Sequence, residues 1–106
     1  MKRIHIAITI SDLTDSIIEY STKFGTDPIC TVKDTWALWL TPELNFSIEV
    51  KPEQAGEIKH IGFEDPSAES MIREKDINGL EWENFTIEQQ KELIFKIWPH
   101  AEYAIQ

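Results

Sequence analysis

The segment His60-Ile61-Gly62-Phe63-Glu64 repeats, with changes, the opening segment His5-Ile6-Ala7-Ile8-Thr9-Ile10. Each is short, rich in β-branched or aromatic residues and headed by His. Each runs into an acidic residue and a helix-start signal, Asp12 in one case and Asp65-Pro66 in the other. His5 to the residue before His60 is 55 residues, and His60 to the end is 47. A period of this size constrains the fold more than any single motif, because each half must supply a similar supersecondary unit. We read module one over residues 1–51 and module two over 57–106, within one domain. A chain of 106 residues suits one hydrophobic core.

Residues 3–10 alternate, with Ile4, Ile6, Ile8 and Ile10 on one face and His5, Ala7 and Thr9 on the other, which predicts a half-buried strand. Ser11-Asp12 caps a helix over 12–24, with Leu13, Ile17, Tyr20 and Phe24 at helical spacing and Gly25 as its stop. Three strands follow: Ile29–Lys33, Thr35–Leu40 and Leu44–Val50. Lys51–Glu57 is a linker of breaker residues, and Ile58–Glu64 is the next strand. Asp65-Pro66 then predicts a helix carrying Ala68, Met71, Ile72 and Lys75 on one face, ended by Asn78-Gly79. Leu80–Phe85 reads as a strand. Thr86-Ile87-Glu88-Gln89 reads as a capping box for a helix over 87–97, with a strand over Leu93–Trp98 as the competing reading, and Ala101–Ile105 as a terminal strand.

The pattern places His5, Glu49 and His60 on the non-core faces of three strands. Two imidazoles and one carboxylate suit a divalent metal such as Zn, Mn, Fe or Ni and leave positions open for water or substrate. The bland alternative is a solvated sheet face. Trp36 shares a face with Leu38 and Leu40 and is expected in the core, which leaves Trp39 with Ala37 to wall a ligand pocket. Cys30 reads as an inert small hydrophobe, and His100 as an exposed loop residue. The four scattered glycines form no phosphate loop, and no Ser/His/Asp or Cys/His nucleophile motif is present.

Charge and composition exclude some partners. A net charge of −9 argues against nucleic acid and anionic membranes. No apolar run approaches the ~20 residues of a membrane helix. The basic start lacks a cleavage-site pattern, and one cysteine forms no internal disulfide, so a cytoplasmic protein without a signal peptide is expected.

The segments His5-Ile6-Ala7-Ile8-x-Ile10-x-Asp12-Leu13, Ile48-Glu49-Val50-x-Pro52 and His60-Ile61-Gly62-Phe63 together resemble the vicinal oxygen chelate superfamily. It includes glyoxalase I, extradiol dioxygenases and bleomycin- and fosfomycin-resistance proteins. The resemblance covers about residues 3–75. It implies an α+β fold in which tandem βαβββ modules form a curved mixed sheet covered by helices, with the second module here degenerate. It also implies His5, Glu49 and His60 as metal ligands, a fourth ligand near the C-terminus, for which Glu102 is the one acidic residue in place, and a homodimer. The run Ala37-x-Trp39-Leu40-x-Pro42-x-Leu44-Asn45-Phe46-Ser47-Ile48 is similar to the cadmium- and arsenic-induced branch, which includes organoarsenical lyases. That branch uses paired cysteines, and Cys30 stands alone, so its activity is not carried over.

Two functions remain. One is a metal-dependent lyase, isomerase or dioxygenase acting on a small molecule with adjacent oxygens. The other is a non-catalytic small-molecule-binding or dimerisation module of the same fold.

Overall fold

The computed structural model describes residues 2–104. An eight-stranded mixed sheet carries one helix on each face. Strand β1 is Arg3–Ile10, followed by α1 (Leu13–Phe24), β2 (Cys30–Val32), β3 (Trp36–Leu40) and β4 (Leu44–Val50). A 3-10 turn at Pro52–Gln54 leads to β5 (Ile58–Glu64), β6 (Ile72–Lys75), β7 (Glu81–Phe85), α2 (Ile87–Ile97) and β8 (Glu102–Tyr103). The strand order is β6-β7-β5-β1-β4-β3-β2-β8. The fold is α+β, as expected. Ile105 of the expected terminal strand lies outside the described residues.

β1 runs parallel to β4, and β5 runs parallel to β7. Antiparallel pairing of β1 with β5 joins the two halves at the centre of the sheet and sets His5 opposite Gly62 and Ala7 opposite His60.

Local chemistry explains both helices. The Asp12 carboxylate accepts from the Asp15 backbone N–H at 2.8 Å and starts α1, and Gly25 ends it in the left-handed region at φ 70°. α1 lays Leu13, Ile17, Tyr20 and Phe24 over Ala37, Trp39, Phe46 and Ile48 on one face of β3 and β4. Thr86 and Gln89 form a reciprocal capping box that starts α2, so the helix reading of this stretch holds over the strand reading. α2 covers the opposite sheet face, where Ile94 packs with Cys30, Val32, Trp36 and Leu38.

The helix expected after Asp65-Pro66 does not form. The Asp65 carboxylate instead accepts from the Ser67 backbone N–H and hydroxyl at 2.9 and 2.8 Å, which makes a side-chain-capped turn. The chain then enters β6, because Arg73 is drawn to Glu81 and Glu83 of β7. No helix among the described residues is long and apolar enough to cross a membrane.

Candidate metal centre

Pairing geometry builds the site. His5 on β1, His60 on β5 and Glu83 on β7 all project from the sheet face that α2 covers, and all three are buried. His5 Nε2 lies 2.9 Å from His60 Nε2, and Glu83 Oε1 lies 3.0 Å from His60 Nε2 and 3.8 Å from His5 Nε2. Gly62 sits between His5 and Glu83 in the ladder. A Cβ there would collide with the Glu83 backbone, so the glycine permits the close approach of β7 that brings the carboxylate in.

Hydrogen bonding fixes the His5 ring state. His5 Nδ1 faces only acceptors, the Asn45 backbone oxygen at 3.1 Å and the Asn45 side-chain oxygen at 2.9 Å. The Asn45 amide orientation is set in turn by its Nδ2 donating to Glu64 at 3.0 Å and Gln90 at 2.8 Å. His5 Nδ1 therefore carries the proton and donates it. Burial, and then the neighbouring His60, hold the His5 imidazole below its ordinary pKa. The neutral ring presents the lone pair of Nε2 to His60 and Glu83.

Glu83 is held from its other side. Arg73 Nε donates to Oε2 at 2.7 Å, and Arg73 Nη2 pairs with the same oxygen. Burial alone would raise this carboxyl, but His60 and Arg73 outweigh it and hold it at about 2. The carboxylate is thus ionised, with Oε1 turned toward the two histidines.

The donor set fits a divalent transition metal. One ligand atom from each of His5, His60 and Glu83 lies within 4.8 Å of the others. Bonds of about 2.0–2.2 Å at cis or tetrahedral angles place donor atoms about 2.8–3.6 Å apart. Two of the three separations fall in that range, and the third exceeds it by a few tenths of an ångström. Two imidazoles and a carboxylate on one side of a cation also leave coordination positions open.

A cavity of about 90 Å³ adjoins this centre. Trp36, Met71, Leu93, Ile97 and Trp98 give it apolar walls, and Ser47, Lys59 and Gln90 are among its polar atoms.

The sequence-predicted residues fall differently from one another. His5 and His60 converge. Glu49 shares their sheet face but lies at the Thr9 end of the ladder, where its carboxylate is bonded to Lys59 at 2.5 Å. It is outside the His5–His60–Glu83 group, and Glu83 supplies the carboxylate instead. Glu102 is exposed on β8 at the far edge of the sheet, paired with Thr31, and is remote from the centre. Trp39 does not wall the cavity: it is buried beneath α1, where its indole N–H donates to Ser21 Oγ at 3.2 Å. Trp36 lines the cavity in its place. Trp36 is buried with Leu38 in the core, as expected, and also borders the cavity; the Ala37–Trp39 face, expected to line a pocket, is core as well because α1 covers it. Leu80–Phe85 is expected as a strand, but the sequence does not single out Glu83 within it, because the pairing of β7 beside β5 that brings it to His60 is long-range.

No family model matches the chain. It is 33% identical over 79 residues to a trivalent organoarsenical cleaving enzyme from Bacillus sp. (strain MD1). That match takes in 72% of this chain and 48% of the relative, so the chain spans about half the relative's length. A solved structure of NAD-dependent benzaldehyde dehydrogenase from Legionella pneumophila superposes with a TM-score of 0.54 at 14% identity. It covers 78% of this chain and 97% of that one, a likeness of fold alone.

Proposed function

We propose that this chain is a small enzyme of the vicinal oxygen chelate type. His5, His60 and Glu83 would hold a divalent Zn, Mn, Fe or Ni ion that assists a lyase, isomerase or dioxygenase reaction on a small molecule with adjacent oxygens. The observation that carries the reading is the convergence of two imidazole Nε2 atoms and an ionised carboxylate oxygen at one buried point. When bound, such an ion supplies Lewis acidity at two neighbouring substrate oxygens. The chain's own residues do the rest. Asn45 orients His5, Arg73 orients Glu83, and α2 shields the centre from bulk water with Leu93, Ile94 and Ile97. The cavity of about 90 Å³ restricts the substrate to a compact one, with its apolar part against Trp36 and Trp98.

The likeness to an organoarsenical cleaving enzyme supports small-molecule chemistry of this general kind. Arsenical cleavage itself is not proposed. A soft, thiol-seeking metalloid calls for accessible thiolates, whereas Cys30 is buried beneath α2 and is absent from the cavity lining.

A second reading, a non-catalytic small-molecule binder, draws on the same apolar walls. Metal content separates the two. Protein purified without chelator or affinity tag is expected to carry about one metal per chain, lost in a His5→Ala, His60→Ala double variant. No metal, and no affinity for added Zn, Mn, Fe or Ni, would leave the binding reading.

A further inference from the structure

We infer that Gln90 is a positioning residue that couples the cavity to the proposed metal centre: through Asn45 it ties α2 to the His5 imidazole. The inference rests on the reading of His5, His60 and Glu83 as metal ligands and extends it to the helix that covers them.

Gln90 is out of place for an amphipathic helix. It and Ile94 are the buried residues of α2, four positions apart on the face turned to the sheet. An apolar residue would suit that position, whereas an amide is costly to bury unless its polar atoms are paired. Both are paired, and with one residue. Gln90 Nε2 donates to Asn45 Oδ1 at 3.0 Å, and Gln90 Oε1 accepts from Asn45 Nδ2 at 2.8 Å.

Asn45 passes the hold on to His5. Its Oδ1 also accepts from His5 Nδ1, and its Nδ2 also donates to Glu64 Oε1. These four bonds use both donors and both lone pairs of the amide. The Glu64 carboxylate is itself clamped, because Arg3 Nη1 donates to both its oxygens, at 2.9 and 2.7 Å. Glu64 thus anchors one end of the Asn45 amide, and Gln90 closes the two bonds that keep the amide from turning. The Asn45 backbone oxygen gives His5 Nδ1 a second acceptor at 3.1 Å. Losing Gln90 therefore loosens the ring and does not release it.

Gln90 also borders the cavity, beside Leu93, Ile94, Ile97 and Trp98 of the same helix. α2 is both a cavity wall and the support of one proposed ligand. A molecule too large for about 90 Å³ must push the walls apart. Pushing α2 outward draws Gln90 from Asn45 and loosens His5, whereas a molecule that fits leaves the support intact. The helix in this way makes the centre sensitive to the size of what enters.

Two readouts on the full chain test this. One is zinc affinity by competition titration. The other is exchange of the His5 Nδ1 proton with solvent, followed by NMR on metal-free protein. Gln90→Met keeps the length of the side chain and removes its amide. It is expected to lower zinc affinity about tenfold and to speed the exchange at least about tenfold. Phe95→Ala is the comparison for a general loosening of α2. It removes a contact of the helix with Tyr103 that lies outside both the cavity lining and the Asn45 bonds. It is expected to lower stability and to leave both readouts at wild-type values. Wild-type affinity and exchange in Gln90→Met, or the same losses in Phe95→Ala, would overturn the inference. A wild-type protein without zinc affinity would instead count against the metal reading, and the exchange rates would still decide whether Gln90 holds His5.

Discussion

The Nε2 atoms of His5 and His60 face each other at 2.9 Å, although 55 positions separate the two residues in the chain. Each Nε2 lone pair therefore meets another acceptor unless a proton or a cation lies between them. Glu83 adds a third acceptor at 3.0 Å from His60. Three such groups meeting at one buried point make a set that could hold a metal ion.

Asn45 is expected to be the most sensitive position outside the proposed ligands His5, His60 and Glu83. Its side chain joins His5, Glu64 and Gln90 in one buried network. Asn45→Ala leaves several buried polar groups without partners and should cost about 2–3 kcal/mol in denaturant unfolding. It should also lower metal affinity about 10–100-fold, because His5 loses the partner that fixes its tautomer. Unchanged affinity in a folded Asn45→Ala protein would count against that orienting role.

Gly62→Ala tests the close approach of β7. The added Cβ would meet the Glu83 backbone, so β7 must move away and carry its carboxylate with it. The expected results are a loss of about 1–3 kcal/mol in stability and weaker metal binding, measured by calorimetry. A variant matching wild type in both would contradict the geometry.

The sequence announced His5 and His60 through the repeat, and β1, β4, β5 and both observed helices through periodicity and capping residues. It did not announce Glu83, because the register of β7 against β5 is a long-range relation that no local pattern encodes. Glu49 also alternates correctly on β4, but it sits two same-face rungs from His5 and one from His60, and its carboxylate is paired with Lys59. The helix expected near Ala68 failed for another reason. Asp65 and Pro66 are compatible with a turn as well as a helix start, and the Arg73–Glu83 pairing favours the strand. Trp36 and Trp39 could not be told apart because the strand that bears them is buried on both faces.

Cys30 gives a pH-dependent prediction. Burial pushes its thiol from 9.0 up to about 11, with Lys91 pulling weakly the other way. The unfolded chain therefore releases this proton at lower pH than the folded one. The Cys30 contribution to stability is fully present below about pH 9 and is lost as pH rises toward 11. Urea midpoints of wild type should fall more steeply over that window than those of Cys30→Ala. Native Cys30 should also resist thiol reagents at pH 8 and react on unfolding. Equal slopes and rapid labelling of the native protein would show the thiol to be accessible.

The most direct test compares the two carboxylates. Metal affinity is measured by competition titration for wild type, Glu83→Gln and Glu49→Gln, with folding checked by circular dichroism. The account predicts a loss of at least about tenfold in Glu83→Gln and near wild-type affinity in Glu49→Gln. Retained affinity in Glu83→Gln, with the loss falling on Glu49→Gln, would contradict a centre built from His5, His60 and Glu83.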